Sequence, residues 1–200
     1  MEEFYYYWSM WFLWVLTTFI LEKNRFRFYA SAFILLNIIL SMYQVRLFMY
    51  FNAAYLSFYI GAFMLCGFLR LHKSNKRLLL HLSMVSAYGF LILFALYDPV
   101  WFILKPEWLI IILFVIMTAA FERSFAVRLG VFVLGMCQGE LLYTFVIRKL
   151  YGDIAAGGYS WLSMCAAGIV LVYGISQYEQ LMHQVYHKLK RLNKGAAKMS

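Results

Sequence analysis

The sequence predicts an all-α polytopic bundle of seven transmembrane helices, and three observations carry that prediction. Apolar residues make up 64% of the 200-residue chain and charged residues only 14%, whereas a soluble domain carries about a quarter charged residues. The apolar residues fall in runs that recur along the whole length, several of them near the roughly 20 residues that a membrane crossing needs. Aromatic residues reach 20%, which suits belts of Trp and Tyr at the two membrane surfaces.

Charged punctuation separates the segments. The first, Phe4 to Leu21, opens on the aromatic cluster YYYW and ends at EKNRFRF. It begins with two acids instead of a basic stretch and has no small-residue cleavage site after it, so no cleavable signal peptide is expected. The second, Phe28 to Val45, stops at Arg46; after RLFMYFN comes the third, Ala53 to Leu69. RLHKSNKR precedes the fourth, Leu78 to Tyr97. Pro99 and Pro106, the two prolines of the chain, then bracket VWFIL. Pro106 followed by Glu107 fits a helix start, where free N–H groups and the positive dipole end favour a proline and an acid. The fifth segment, Pro106 to Phe121, is short, and Val100 to Leu104 fits either the interface or part of a span. The sixth is Leu129 to Ile147 and the seventh Ala155 to Tyr178.

Seven crossings put the termini on opposite sides. With the N-terminus outside, only Arg46, Lys105, Arg148 and Lys149 of the 18 Lys and Arg fall in outer loops, which leaves 14 for the inner loops and tail. Over short loops that asymmetry predicts N-out, C-in. The net charge of +9 is read through this distribution and not as a nucleic-acid footprint. The chain divides into a transmembrane bundle, residues 1–178, and a basic amphipathic tail, residues 179–200. In the tail Leu181, Val185, Leu189 and Leu192 form an apolar stripe, while Lys188, Lys190, Arg191 and Lys194 crowd the polar side. Such a segment binds an anionic inner leaflet, at about 1 kcal/mol per basic residue near the surface, or serves simply as a positive-inside anchor. The expected partners are membrane lipid, and a membrane protein or a second copy of the chain.

The residues that stand out chemically lie in GMCQGELLYTF, 135 to 145. At 1.5 Å per residue, Glu140 lies about 12 Å from Arg148, inside the hydrocarbon region. An acid there is expensive and normally faces the bundle interior or a watery cavity. Tyr143 and Thr144 share its half of the helix, as do Gly135 and Gly139, a GxxxG pair that lets another helix approach closely. Three readings are open: a neutral Glu hydrogen-bonded to a neighbouring helix, an ion pair with Arg46, or a proton- or cation-binding group in a transport path. Asn37 and Gln44, seven apart on the second segment, and Gln138 on the sixth read as interhelical hydrogen-bonding groups. A polar path through Asn37, Gln44, Arg46 and Glu140 requires the second and sixth helices to be neighbours.

The remaining features point to packing. Cys66, Cys137 and Cys165 are scattered singly in apolar segments, as small packing residues are. Glu179, His183 and His187 fall four apart but read as a solvated helix face. His72 and His81 flank a basic loop and read as interfacial. HExxH, GxSxG, the Walker loop and GxGxxG are all missing from the sequence, and no cofactor is expected. The leading expectation is a non-enzymatic accessory, sensory, or partner- or lipid-binding membrane component. The alternatives are a small-solute or proton-coupled carrier using Glu140 and an intramembrane enzyme acting on lipid.

FYYYWSMWFLWV at the start, LYDPVWFI near the middle and GELLYTFVI around Glu140 resemble the YphA family, small multi-pass membrane proteins of Bacillus and its relatives. The resemblance runs along most of the chain. It implies a cell-membrane location in a Gram-positive bacterium and supplies no activity, so no catalytic residue is carried over from it.

Overall fold

The structure is a computed structural model that describes residues 2–21, 23–69, 75–152 and 154–196; for Glu2, Tyr151 and residues 187–196 it describes the backbone alone. His72 and Asp153 lie outside the described residues, as do the side chains of Lys188, Lys190, Arg191 and Lys194.

Seven α-helices account for nearly all of it: α1 (Glu2–Phe19), α2 (Arg25–Leu40), α3 (Ala53–Phe68), α4 (Asn75–Tyr97), α5 (Pro106–Phe121), α6 (Phe125–Tyr151) and α7 (Tyr159–Ala196). Each expected segment overlaps one of them. Among the described residues three helices are long and apolar enough to cross a membrane: α4, α6 as far as Leu150, and α7 as far as Tyr186. The apolar helices α3 and α5 have 16 residues each, about 24 Å at 1.5 Å per residue. That is less than the roughly 30 Å of a typical hydrocarbon core.

Side-chain contacts show that the helices alternate in direction. At one end, Tyr6 and Tyr7 at the start of α1 meet Tyr159 at the start of α7, and the Tyr6 hydroxyl donates to the Asn37 carbonyl near the end of α2. At the other end, Arg77 of α4 pairs with Glu122 just after α5, and Arg128 of α6 pairs with Glu179 of α7. Within the bundle α6 is central. It packs on α3, α4, α5 and α7, and α1 closes against α7 and α2.

The second segment ends earlier than its sequence implies. Helix α2 stops at Leu40, and Gln44–Arg46 (β1) pairs antiparallel with Tyr50–Asn52 (β2), Val45 opposite Phe51. Gln44 therefore does not share a helix face with Asn37. Its backbone and that of Arg46 are hydrogen-bonded in a hairpin, and both side chains are exposed. Asn52 locks the hairpin in place. Its side-chain oxygen caps α3 by accepting from the Ala54 N–H, and its amide donates to the Ser41 carbonyl at the end of α2. Residues 154–158 join the same structure: the Ala156 N–H donates to the Tyr50 carbonyl and the Asn52 N–H to the Ala156 carbonyl. This pairing sets the path of the α6–α7 connection, which matters for Glu140.

Two further segments complete the outline. Residues 99–101 form a short 3-10 turn capped by Asp98, whose side chain accepts from the Val100 N–H. Val100, Trp101 and Ile103 are among the most exposed residues of the molecule, so VWFIL is an apolar surface loop and not part of α5. The other is the tail: α7 runs 38 residues without a break, carrying residues 179–196 in the same helix as the seventh segment.

Candidate functional site

Glu140 sits on α6 where that helix comes closest to α4. Gly135 and Gly139 make the approach possible. A Cβ on Gly139 would lie 2.5 Å from the Tyr88 ring, and one on Gly135 would lie 3.2 Å from Met84. Met84 and Tyr88 are themselves one turn apart on α4, so two large side chains fill the two glycine notches in succession. The notch at Gly139 brings the Tyr88 hydroxyl to the neighbouring carboxyl group, where it donates to Glu140 Oε2 at 2.7 Å.

The other carboxyl oxygen is held from the α6–α7 connection. The Gly157 N–H donates to Glu140 Oε1 at 3.2 Å. Gly157 has φ +75°, and the space where its Cβ would go is filled by Tyr55. Only glycine combines that left-handed backbone with so close a neighbour. Tyr55 is fixed in turn by its hydroxyl, which donates to the Cys137 carbonyl at 2.8 Å, and by an edge-on contact with Trp161. The Trp161 indole N–H donates to the Met136 carbonyl. Three helices and a loop therefore close around Glu140, which is 7% exposed. Both its oxygens accept hydrogen bonds, and it is in no ion pair among the described residues.

The other polar residues singled out in the sequence are not gathered at this point. Thr144, one turn on, is 1% exposed, and its hydroxyl has no hydrogen-bond partner among the described residues. Tyr143 is half-buried against the core. Gln138 turns to α4, where His81 Nε2 and Gln138 Oε1 are 2.8 Å apart. His81 thus links α4 to α6. Asn37 is fully buried between α1 and α2, with its amide donating to the Phe33 carbonyl. Arg46 lies on the exposed hairpin with its guanidinium over the Tyr50 ring, 5.3 Å from the centroid. Neither the Arg46–Glu140 ion pair nor a path from Asn37 through Gln44 and Arg46 to Glu140 is formed. Helix α2 packs on α1 and α3, while α3 and α4 flank α6.

Sequence reasoning missed a second buried ionisable residue. Arg128, counted as a loop residue, lies in the second turn of α6 and is 2% exposed. Its guanidinium donates to the carbonyls of Ala119 and Glu122 at the end of α5, and to the Ser176 hydroxyl on α7. It also pairs with Glu179 at 2.8 Å. Five N–H donors in a planar fork suit such a junction, where free carbonyls at a helix end meet a carboxylate from another helix. Glu179, in line with His183 by sequence, is thus committed to Arg128. Among the described residues no group of three His, Cys, Asp or Glu is placed to hold a metal. The only sequence hint was an arginine four residues after Ser124, the α6 N-cap residue; its partner is 51 residues away.

The family profile of the YphA-like integral membrane proteins matches residues 2–198. The chain is 56% identical over 200 residues to a Bacillus subtilis (strain 168) protein bearing the name uncharacterized protein YphA, and the match covers 100% of each chain. No solved structure matches. With a profile spanning nearly the whole length and a full-length relative at that identity, the chain belongs to the YphA-like integral membrane protein family.

Proposed function

We propose that this protein is a non-catalytic, lipid-binding component of the cell membrane, crossing it seven times with the N-terminus outside and the C-terminus in the cytoplasm. The observation that carries the reading is an apolar cleft of about 730 Å³ between α1, α2, α3, α6 and α7. Its volume falls within the roughly 300–1,000 Å³ of ligand pockets. Leu13, Phe33, Leu65, Leu129 and Ile169 are among its walls. Phe26, Tyr29, Ile60 and Met64 at its rim are strongly exposed, so it opens sideways. In a bilayer that direction leads to acyl chains.

The mouth of the cleft is basic. Leu21 and Phe26 both line it, and the turn between them carries the exposed Lys23 and Arg25. Arg27 donates to the Thr18 carbonyl and ties the ends of α1 and α2 together beside it. By the distribution of Lys and Arg this turn faces the cytoplasm, where anionic headgroups attract basic side chains. An acyl chain in the cleft with an anionic headgroup at Lys23 and Arg25 satisfies both features. The carrier reading draws no support from Glu140, whose two oxygens are already engaged inside closed packing.

The test is lipid retention. The protein is purified in mild detergent and its bound phospholipid is counted by native mass spectrometry. Ala30, a half-buried cleft residue of α2, is replaced by Trp to fill the space. Retained phospholipid on the parent and its loss in Ala30→Trp are expected. Equal lipid on both proteins, or proton flux through the parent in liposomes, would overturn the reading. A reporter fused after Ser200 checks the orientation: activity confined to the cell exterior contradicts it.

A further inference from the structure

The long continuation of α7 is the largest feature that neither the bundle nor the cleft accounts for. At 38 residues it is about 57 Å long, nearly twice the roughly 30 Å of a hydrocarbon core. It leaves the bundle at the Arg128–Glu179 pair. Beyond that point large apolar residues stay exposed: Leu181 59%, Met182 52%, Val185 50% and Tyr186 62%. An apolar face on a stretch of helix that no other element covers, among the described residues, calls for a partner.

Its spacing says which kind. Leu171, Tyr178, Val185 and Leu192 recur every seven residues, and so do Ile175, Met182, Leu189 and Ala196. The two sets interleave by threes and fours, which is the a/d pattern of a two-stranded coiled coil. The b, c and f positions from Ser176 to Lys194 hold only polar or basic residues, Gln180, His183, Gln184, Lys190, Arg191 and Lys194 among them. The seam also reaches back into the apolar span. Leu171 is exposed there, and Gly174 beside it would meet nothing within 4 Å if given a Cβ. Ile175, also on the seam, packs partly against the core, so on this stretch a second helix approaches over Leu171 and Gly174.

We infer that α7 pairs with α7 of a second copy of this chain, in parallel and in register, from Leu171 to Ala196. Two copies inserted in one membrane share their orientation, so their α7 helices run the same way and identical layers face each other across a two-fold axis. In that register Lys188 at position g stands opposite Asn193 at position e, so no like charges oppose each other across the seam. The bilayer surface is the competing occupant. Lying on it requires the helix to bend where it leaves the span, and α7 is continuous from Tyr159 to Ala196.

Disulfide cross-linking of the full chain in native membranes tests this. Single substitutions Val185→Cys and Met182→Cys sit on the seam, and Gln180→Cys and Gln184→Cys sit off it. All four positions are exposed, so the bundle tolerates them, and the native cysteines are buried. Mild oxidation is expected to double the apparent mass of the two seam variants and leave the two controls monomeric. Adding Met182→Lys to Val185→Cys is expected to abolish the dimer band. Equal cross-linking at all four positions, or none at the seam, would overturn the inference. So would an environment-sensitive dye attached to Val185→Cys that reports burial in anionic lipid without a dimer.

Discussion

Glu140 and Arg128 are both buried ionisable residues on α6, twelve residues apart, yet they are held in different ways. Glu140 is served by two neutral donors, the Tyr88 hydroxyl and the Gly157 N–H. Arg128 engages two backbone carbonyls, a hydroxyl and a carboxylate, contributed by the end of α5 and by α7. The difference follows from the inventories of the two groups. A carboxyl group is satisfied by a few donors, while a guanidinium with five N–H groups must find acceptors in several directions. One arrangement is a local latch between α4, α6 and the α6–α7 connection. The other is a junction on which three helices converge.

The junction is expected to matter more. Arg128→Met keeps much of the side-chain volume but strands the Ala119 and Glu122 carbonyls, and it removes the cation from a site that is 2% exposed. Each buried carbonyl left without its donor costs roughly 1–3 kcal/mol, whereas Glu179, 45% exposed, is solvated once its partner is gone. The expected outcome is a large fall in the thermal unfolding midpoint in detergent. Arg128→Lys should recover only part of it, because one ammonium group cannot reproduce the fork. If Glu179→Ala alone matches the loss, the ion pair and not the carbonyl capping is the source of the stability.

At Glu140 the two obvious replacements should separate cleanly. Glu140→Leu leaves both the Tyr88 hydroxyl and the Gly157 N–H without an acceptor, and each stranded buried donor costs roughly 1–3 kcal/mol. Glu140→Gln can present its carbonyl to the Gly157 N–H while its amide donates to the Tyr88 oxygen, so it should stay within about 1 kcal/mol of the parent. Thermal unfolding of the two variants side by side checks this. A Gln variant as damaged as the Leu variant would show that the carboxyl group does more than hold the helices.

The latch was partly legible in the sequence and the junction was not, and the reason is range. Gly135, Gly139 and Glu140 fall within a turn and a half of one helix, so helical geometry alone puts the acid beside a close-contact face. Tyr88 and Gly157, which complete the site, come from 52 residues before Glu140 and 17 after it, and no local pattern marks them. Arg128 looked like loop punctuation because two of its acceptors are backbone carbonyls, which every residue has, and the other two lie far off in the chain. The hairpin at Gln44–Asn52 was invisible for another reason: three-residue strands are too short to show a period, and aromatic and apolar residues suit a strand or a helix alike. Overlooking it put Gln44 on a helix face, and Arg46 just beyond it, where the helix in fact ends at Leu40. The helical, membrane-spanning character survived these errors because it rests on composition and run length over the whole chain.

The backbone half of the latch can be tested separately. Gly157→Ala forces a side chain into the left-handed region, a cost of order 1–3 kcal/mol, and presses a Cβ against Tyr55. Loss of stability in the range of the Glu140→Leu effect is expected, since the N–H would be displaced from Glu140 Oε1. Little change would mean that the α6–α7 connection has room to relax. Tyr88→Phe should cost less. It removes one hydroxyl donor and leaves the ring packed on Gly139, and interhelical hydrogen bonds in membranes average about 0.6 kcal/mol, with a maximum near 1.7. If Tyr88→Phe destabilises more than Gly157→Ala, the side-chain donor is the dominant half of the latch.

The smallest effect is expected just beside the junction. Arg77 pairs with Glu122 through two hydrogen bonds, at 2.6 and 3.3 Å, which looks at first like a second strong tie. The Arg77 side chain, however, is 31% exposed, and partly solvated pairs of this kind are typically worth about 0.2–1 kcal/mol. Glu122 also keeps its structural place without Arg77, because its backbone carbonyl is held independently by Arg128. Arg77→Ala should therefore shift the unfolding midpoint only slightly, and added salt should shrink the difference. A double-mutant cycle with Glu122→Gln measures the pair directly. A coupling well above 1 kcal/mol would place Arg77 within the Arg128 network and extend the junction from three helices to four.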